Sequence, residues 1–368
     1  MTLAKRNFLS RHQIGLLATI LMLIGCDQPR DPTGPPVDTS GSPAWEWKPP
    51  GDVGLNQERL DELASLVGGH GCVVRHGYMV YSWGDITRPV DVASACKPVI
   101  STLLMIAIQE DRVRNVDEPV VRHDPRLRTL DRKNRRITWR HLASQTSGYG
   151  LEERPGRAWA YNDYALAYYY DVLTDNVFGE EGGSVLMSRI GRVVGFEDAV
   201  TFHAGLAGRL GISARDFSRF GLLFLQRGTW DGHEVVREDL IELMLNSPVL
   251  ADLKRTSGRE TPMLPNQRTL GGRGRAGKNL LEEGPGHYSF NWWINQPKGT
   301  PQPMFPALPT DTYWADGHVH RHMLWIIPEY DMVVVWLNTN LGGDTERTRK
   351  AIRLIGDALS RLPQSAAP

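Results

Sequence analysis

The run Pro98–Ile108 constrains the fold more than any other segment, because it is apolar on nearly every helical face. A helix of this kind belongs inside a core rather than on a surface. Ser94 and Lys97 stand at the head of this run, and residues three apart share one face of a helix. The sequence therefore predicts a hydroxyl and an amine in contact on a rigid, buried helix.

This pair of side chains has a chemical and a structural interpretation. A serine hydroxyl is a poor nucleophile at neutral pH unless a base lies beside it, and Lys97 is placed to be that base. A helix N-terminus also favours developing negative charge. In the structural interpretation, Ser94 only caps the helix and Lys97 is a solvated first-turn residue. Ser-x-x-Lys is common by chance, so the rest of the chain has to decide between them.

The N-terminal segment predicts the cellular location. A basic stretch within residues 5–11 precedes the apolar segment Ile14–Ile24, which is too short to span a membrane comfortably. The cysteine that follows, Cys26, ends a sequence that resembles the lipobox of bacterial lipoproteins. We expect residues 1–25 to be a signal peptide, and Cys26 to be lipidated and to anchor an extracytoplasmic protein to a bacterial membrane, in the periplasm or at the cell surface. An ordinary signal peptide or an uncleaved anchor is the alternative.

The remaining chain divides into a tether and a folded body. Residues 26–50 are rich in Pro, Gly and polar residues, and such a segment cannot bury enough apolar surface to fold. Residues 51–368 suffice for one large domain or two lobes, and we expect a monomer. The formal net charge is zero, which gives no support for a nucleic-acid partner. Apart from Cys26, the cysteines are Cys72 and Cys96, which we expect to be buried free thiols rather than a disulfide.

Strand-like runs lie at both ends of the body. Gly71–Gly84 predicts a hairpin around a His-Gly turn, and Met323–Ile327 and Met332–Leu337 predict a second pair. An amphipathic helix over Ala351–Leu362 closes the chain. This order predicts an α/β (α+β) fold in which one antiparallel sheet is built from both ends of the chain and flanked by helices.

The middle of the body has a different character. It alternates helical patches with polar joints, and the patches cover residues 164–174, 188–194, 214–227 and 237–245. We expect a helical lobe over about residues 111–285, inserted between the two parts of an α/β lobe over about residues 51–110 and 286–368. A cleft is expected where the lobes meet.

Several passages have the order and spacing of one known family. Ile137–Tyr149 resembles its "ITxRHLLSHTSGL" stretch, and Pro155–Asp163 looks like the segment that holds its Tyr-x-Asn motif. Ser213–Gly221 resembles its "SARDLARFG" helix, and Pro328-Glu329 with the valine-rich strand that follows resembles its C-terminal hairpin. With Ser-x-x-Lys, these passages resemble the penicillin-recognising serine hydrolases. That family includes class C β-lactamases, D-Ala-D-Ala peptidases, esterases and 6-aminohexanoate-dimer hydrolases.

The resemblance spans about residues 55–360 and implies a β-lactamase/transpeptidase-like fold. It implies that Ser94 is the acylated nucleophile, that Lys97 is its base or part of a proton relay, and that Tyr161 passes the proton to the leaving group. For that, a cationic neighbourhood has to favour a phenolate or a strongly polarised phenol. The Ser94 N–H and an N–H after Gly317 would form the oxyanion hole. No metal or other cofactor is implied.

Two positions depart from the family pattern. Asp163 replaces the family's asparagine; it can form an ion pair with Lys97, but it would repel a substrate carboxylate. The third motif, Lys-Thr-Gly or His-x-Gly in relatives, is blurred around Gly317, and His318 is the first candidate for it, followed by His320. Both departures favour small esters or amides as substrates over β-lactams and peptidoglycan stems.

Other functions remain open at this stage. A β-lactamase or D-Ala-D-Ala peptidase is one alternative, and a non-catalytic ligand sensor on the same fold is another. His318, His320 and His322 alternate, so on a strand they would point to one side and could bind zinc. Aromatic residues could line an apolar substrate pocket, and packing explains each of them equally well: Trp159, Tyr288, Trp292, Trp293 and Trp314.

Overall fold

The computed structural model describes residues 44–271 and 284–359. The predicted signal peptide, Cys26 and most of the tether lie outside the described residues. The α-helices are α1 (Gln57–Val67), α2 (Lys97–Gln109), α3 (Trp139–Ala143), α4 (Asp163–Asp171), α5 (Gly182–Leu186), α6 (Arg192–Val194), α7 (Ala214–Leu225), α8 (Glu238–Leu245) and α9 (Thr345–Asp357). The strands are β1 (His70–Arg75), β2 (Tyr78–Trp83), β3 (Val90–Asp91), β4 (Thr201–Phe202), β5 (Leu210–Ile212), β6 (Thr229–Trp230), β7 (His233–Glu234), β8 (Tyr288–Ser289), β9 (Trp292–Ile294), β10 (Tyr313–Gly317), β11 (His322–Ile327) and β12 (Met332–Leu337).

A seven-stranded sheet organises this part of the chain, with the order β2-β1-β12-β11-β10-β9-β8. All of its neighbouring strands are antiparallel. The pairing of β1 with β12 runs from His70 opposite Leu337 to Arg75 opposite Met332, so the two ends of the chain meet inside one sheet. The predicted antiparallel sheet, with helices around it, is confirmed.

The central strands are buried on both faces, which explains their near-continuous apolar sequences. Every residue of β11 and β12 is buried. On β12, Val333 packs into the cluster that contains α2 and α7, whereas Val334 packs into the cluster that contains α1 and α9. Alternation of side chains along a strand produces this division. A Cβ on Gly221 of α7 would lie 2.7 Å from Val333, so a glycine is required where α7 crosses the sheet.

The helix predicted to carry the serine and lysine is α2, and nearly all of it is buried. The sequence places Ser94 at the head of this helix, but α2 begins only at Lys97. Ser94 lies in the 3₁₀ turn Ala93–Cys96 that precedes it. Pro98 occupies the first turn, where a missing N–H breaks no intrahelical bond. The helix predicted over Ala351–Leu362 starts earlier, at Thr345, because Asp344 caps it by accepting the Arg347 N–H at 3.0 Å.

The helical patches of the middle segment are present, with irregular geometry in two of them. After α4 the chain continues as a π-helical stretch, Val172–Phe178, and a second one, Met187–Gly191, joins α5 to α6. Among the described residues, no helix is long and apolar enough to cross a membrane.

Candidate active site

Lys97 lies at the centre of a cluster of polar side chains at the start of α2. Its Nζ donates to Ser94 Oγ at 2.5 Å and to Tyr161 Oη. The same Nζ lies 3.4 Å from Asp163 Oδ1, which is the ion pair expected from the sequence. The Lys97 side chain is only 2% exposed, and the Asp163 side chain is 15% exposed. A buried lysine nitrogen is costly unless it has polar partners, and here a carboxylate and two hydroxyl groups surround it.

Asn162 fixes the segment that brings the phenol and carboxylate to the lysine. Its side-chain oxygen accepts the N–H groups of Tyr164 and Ala165, both at 3.1 Å, and so caps α4. Its Nδ2 donates to the Tyr149 carbonyl and its backbone N–H donates to Gln145 Oε1, both at 2.8 Å. Its two neighbours in sequence are thereby held towards α2. Sequence reasoning missed this residue, although an asparagine before a helical run is a recognised capping signal.

Asn291 binds the backbone of Lys97 and the side chain of Ser101 in the first turns of α2. Its Nδ2 donates to the Lys97 carbonyl at 3.1 Å and to Ser101 Oγ at 2.8 Å, and Tyr288 Oη donates to its Oδ1 at 3.0 Å. Phe290 and Asn291 form the tight β8–β9 turn with φ of 44° and 72°. Nothing local in the sequence shows that this turn docks on α2, and the residue was not predicted.

Burial and negative charge keep Tyr161 protonated. Burial raises the pKa of Tyr161 well above 10, and the carboxylates of Asp163 and Asp316 raise it further, whereas the hydrogen bond with Ser94 lowers it. The phenolate considered from the sequence is therefore not the resting form. A polarised phenol fits the structure, because Lys97 Nζ donates to Tyr161 Oη and lies 4.0 Å from the centre of the Tyr161 ring.

The two described cysteines are buried free thiols, as predicted. Burial raises the pKa of Cys72 to about 12 and of Cys96 to about 12. Both are protonated at neutral pH and are poor nucleophiles. Although Cys96 lies in the same turn as Ser94, the serine is the nucleophile candidate of this turn.

The end of β10 runs directly along the serine turn. A Cβ added to Gly317 would lie 2.1 Å from the Val92 carbonyl oxygen and 3.0 Å from the Ala95 N. Only glycine fits at this distance, so the strand end and the turn that carries Ser94 are in backbone contact. Before this glycine, β10 carries Ala315 and Asp316 rather than a basic side chain.

The alternative interpretation, a strand that aligns His318, His320 and His322, is wrong. His318 and His320 lie in the left-handed turn between β10 and β11, with φ of 56° and 69°, and only His322 belongs to a strand. His318 is exposed, whereas His320 is buried: its N–H donates to Asp316 Oδ1 at 2.8 Å, and its Nδ1 lies 2.7 Å from Oδ2. Burial lowers the pKa of His322 to about 4. Within residues 44–271 and 284–359, no His, Cys, Asp and Glu side chains cluster as a metal site.

One of the aromatic residues considered as pocket lining, Trp292, lies on the other face of the sheet from the rest, where it packs against Phe224 of α7 with ring centroids 4.7 Å apart. Trp292 and Trp293 are successive on β9, so their side chains face opposite ways. Trp314 stacks on Trp325 at 5.0 Å and belongs to the same buried cluster as Trp159, Tyr288 and Trp293. Next to Tyr161, Trp159 and Tyr288 lie 6.2 and 6.4 Å from its ring, and Trp293 packs on Tyr288 at 4.6 Å.

Comparison with known proteins identifies the family. The β-lactamase family model matches residues 58–359. The chain belongs to the β-lactamase family. Its structure is similar to a candidate 6-aminohexanoate-dimer hydrolase from Bacillus anthracis, with 17% identity, a TM-score of 0.60, and coverage of 89% of this chain and 90% of that one.

Two further solved structures share the fold of this β-lactamase-family chain. A penicillin-binding protein homologue from Caulobacter crescentus has 12% identity, a TM-score of 0.59, and coverage of 83% and 99% of the two chains. EstCE1, a hydrolase with promiscuous acyltransferase activity, has 16% identity, a TM-score of 0.54, and coverage of 83% and 97%. A search of curated proteins gives no match. The predicted β-lactamase/transpeptidase-like fold is confirmed.

Proposed function

We propose that this β-lactamase-family chain is a serine hydrolase that cleaves small esters or amides through an acyl-enzyme on Ser94. One observation carries the proposal: buried Lys97 contacts both Ser94 Oγ, at 2.5 Å, and Tyr161 Oη. A nucleophile within hydrogen-bond reach of a base, with that base held by a third group, is the arrangement that activates a hydroxyl. Here the third group is Asp163, 3.4 Å from the amine.

The geometry supports one route for the proton. Ser94 Oγ attacks the carbonyl carbon, and its proton passes to Lys97 Nζ in the amine form. Asp163 stabilises the resulting ammonium. When the tetrahedral intermediate collapses, the phenol of Tyr161 gives its proton to the leaving oxygen or nitrogen and takes one from Lys97. The neutral phenol of the resting state suits this role, because a proton has to be present to be donated. Water then hydrolyses the acyl-enzyme by the reverse route.

The negative charge of the intermediate needs hydrogen-bond donors close to Ser94. We assign this role to the Ser94 N–H and to an N–H at the end of β10, beyond Gly317. The backbone contact between Gly317 and the turn of Val92 and Ala95 supports the assignment. Donors on rigid backbone segments stabilise an oxyanion without reorganising during the reaction.

The charges around the serine favour substrates without a carboxylate. The carboxylates of Asp163 and Asp316 both raise the pKa of Tyr161, and this supports a site that disfavours added negative charge. No basic side chain precedes Gly317 on β10 to bind an acidic substrate group. Neutral esters and amides avoid this repulsion, whereas a D-Ala-D-Ala stem or a β-lactam carries a carboxylate into it. The aromatic cluster of Trp159, Tyr161 and Tyr288 supplies apolar surface beside the serine.

We also propose that the protein acts outside the cytoplasm, tethered by a lipid on Cys26. The basic and apolar N-terminal sequence and the Pro-rich residues that follow it support this location. Metabolic labelling with an alkyne fatty acid tests it: the wild type should incorporate the label and Cys26→Ala should not.

Hydrolysis of a short-chain nitrophenyl ester tests the proposed activity. Ser94→Ala should abolish turnover while the chain stays folded, as measured by circular dichroism and urea unfolding. Turnover by a folded Ser94→Ala variant at the wild-type rate would refute Ser94 as the nucleophile. Absence of turnover in the wild type with a wide panel of esters and amides would favour a ligand sensor on the same fold.

A further inference from the structure

The backbone immediately before Ser94 is held in an unfavourable conformation. Ala93 has a φ of 51°, in the left-handed region that residues with a Cβ rarely adopt, and it is buried. Such a conformation persists only where the surrounding structure imposes it. The backbone angles of Ala93 determine the orientation of the Ser94 N–H and side chain, because a rotation at Ala93 would move both.

The Asp91 side chain binds the backbone at this position. Its Oδ1 accepts the Ala93 N–H at 2.9 Å and the Arg209 Nε–H at 2.7 Å. The His203 Nε2 lies 3.6 Å from the other carboxylate oxygen. Arg209 is itself fixed, since its Nη1 donates to the Leu270 carbonyl at 3.1 Å. The carboxylate therefore joins the turn before the serine to a guanidinium that the surrounding chain already holds.

Backbone pairing supports the same connection. Asp91 pairs with Gly211 of β5, and the Val92 N–H donates to the Leu210 carbonyl at 3.0 Å. The small sheet β3-β5-β4 is thus continuous with the turn that carries Ser94. The side chain of Asp91 is 31% exposed and that of Arg209 is 19% exposed. An ion pair with this much exposure contributes little to stability by itself. The difference here is the second hydrogen bond, to Ala93.

We propose that Asp91 is a positioning residue that, held by Arg209, locks Ala93 in its left-handed conformation and so aligns Ser94 with Lys97 and the oxyanion donors. This inference rests on the proposed serine-hydrolase function and adds a residue to it. Asp91 does not touch the reacting atoms. Its effect is on the fraction of molecules in which Ser94 has the geometry for attack, and misplacement by about 1 Å lowers rates by roughly 100-fold.

The test compares four forms of the full-length protein with the wild type. Asp91→Ala removes both hydrogen bonds, and Asp91→Asn keeps an oxygen that can accept the Ala93 N–H. The double variant Asp91→Ala with Ala93→Gly also lacks both hydrogen bonds, but a glycine at position 93 adopts positive φ without the strain that a Cβ causes. Asp131→Ala is the matched control, because exposed Asp131 also accepts an N–H two residues on, that of Lys133 at 2.9 Å, where it caps the 3₁₀ helix Arg132–Arg136.

The measurements are kcat and KM on a nitrophenyl ester, the rate constant of labelling by a fluorophosphonate probe, and the urea midpoint. We expect Asp91→Ala to lose about 100-fold in kcat and in labelling rate with KM within about twofold. Asp91→Asn should lose less than about tenfold, the added Ala93→Gly should restore at least about fivefold, and Asp131→Ala should match the wild type in kcat and labelling rate.

The outcomes separate this proposal from the proposed function. If the wild type is labelled at Ser94 and Asp91→Ala is labelled equally fast, the positioning role is refuted and the serine hydrolase stands. If the added Ala93→Gly does not restore the lost kcat, or if the loss of kcat is fully explained by a lower urea midpoint, Asp91 has only a structural role and the positioning proposal is refuted. If Asp91→Ala does not fold, Asp91→Asn replaces it in the comparison, alone and combined with Ala93→Gly. If the wild type is not labelled at all, both proposals fail.

Discussion

Gly317→Ala tests the contact between β10 and the nucleophile turn. The new Cβ would lie 2.1 Å from the Val92 carbonyl oxygen, and a Cβ essentially never approaches another heavy atom closer than 3.0 Å. The strand and the turn therefore have to separate by about 1 Å. Forced separation of packed segments costs typically 1–3 kcal/mol of folding stability. Misplacing the oxyanion donors by this distance should lower kcat/KM by roughly 100-fold, which is about 2.7 kcal/mol of transition-state stabilisation.

Ester hydrolysis and urea unfolding measure these two effects on the same preparation. Gly342→Ala is the control, because its Cβ would meet nothing within 4 Å and its φ is not in the left-handed range. The control should keep wild-type activity and stability. Wild-type kcat/KM in Gly317→Ala would show that β10 does not supply the second oxyanion donor. A loss of activity proportional to the unfolded fraction would leave Gly317 with a packing role only.

Two further predictions concern charge. Asp163→Asn should raise the ratio of β-lactam acylation to ester acylation by roughly tenfold, because it removes a negative charge that repels the substrate carboxylate, whereas the lost support of Lys97 slows both reactions alike; stopped-flow acylation assays showing an unchanged or lower ratio would refute this account of specificity. His322→Gln should reduce acid destabilisation. The folded-state pKa of His322 is lowered to about 4 from 6.5, so the unfolded chain takes up a proton first and stability falls as the pH drops from about 6.5 to about 4. This difference amounts to at most about 3 kcal/mol, and urea unfolding at pH 7 and pH 4.5 measures it. Equal loss in wild type and variant would contradict the buried, neutral histidine.

The parts of the structure predicted correctly from sequence depend on local patterns. The hairpin of β1 and β2 and the β11–β12 pair follow from apolar runs around turn residues, and the Ser94–Lys97 contact follows from their spacing. Tyr161 was predicted only through family resemblance, because its position opposite α2 depends on a long-range packing of segments.

The errors have physical reasons in particular residues. The alternation of His318, His320 and His322 mimics a strand, but Asp316 stabilises a left-handed turn by accepting the His320 N–H. Asn291 contacts the first turn of α2 from a distant hairpin, and no pattern in its own neighbourhood indicates that contact. In both cases tertiary contacts override or add to the local pattern.

The most direct test of the central claim is the intact mass of the protein after reaction with a fluorophosphonate, for wild type and Ser94→Ala, with and without a chelator. The account predicts one adduct on the wild type, none on Ser94→Ala, and no effect of the chelator. An equal adduct on Ser94→Ala, or no adduct on a folded wild type, would contradict an activated Ser94. Ester turnover that survives Ser94→Ala and is lost with the chelator would contradict it as well.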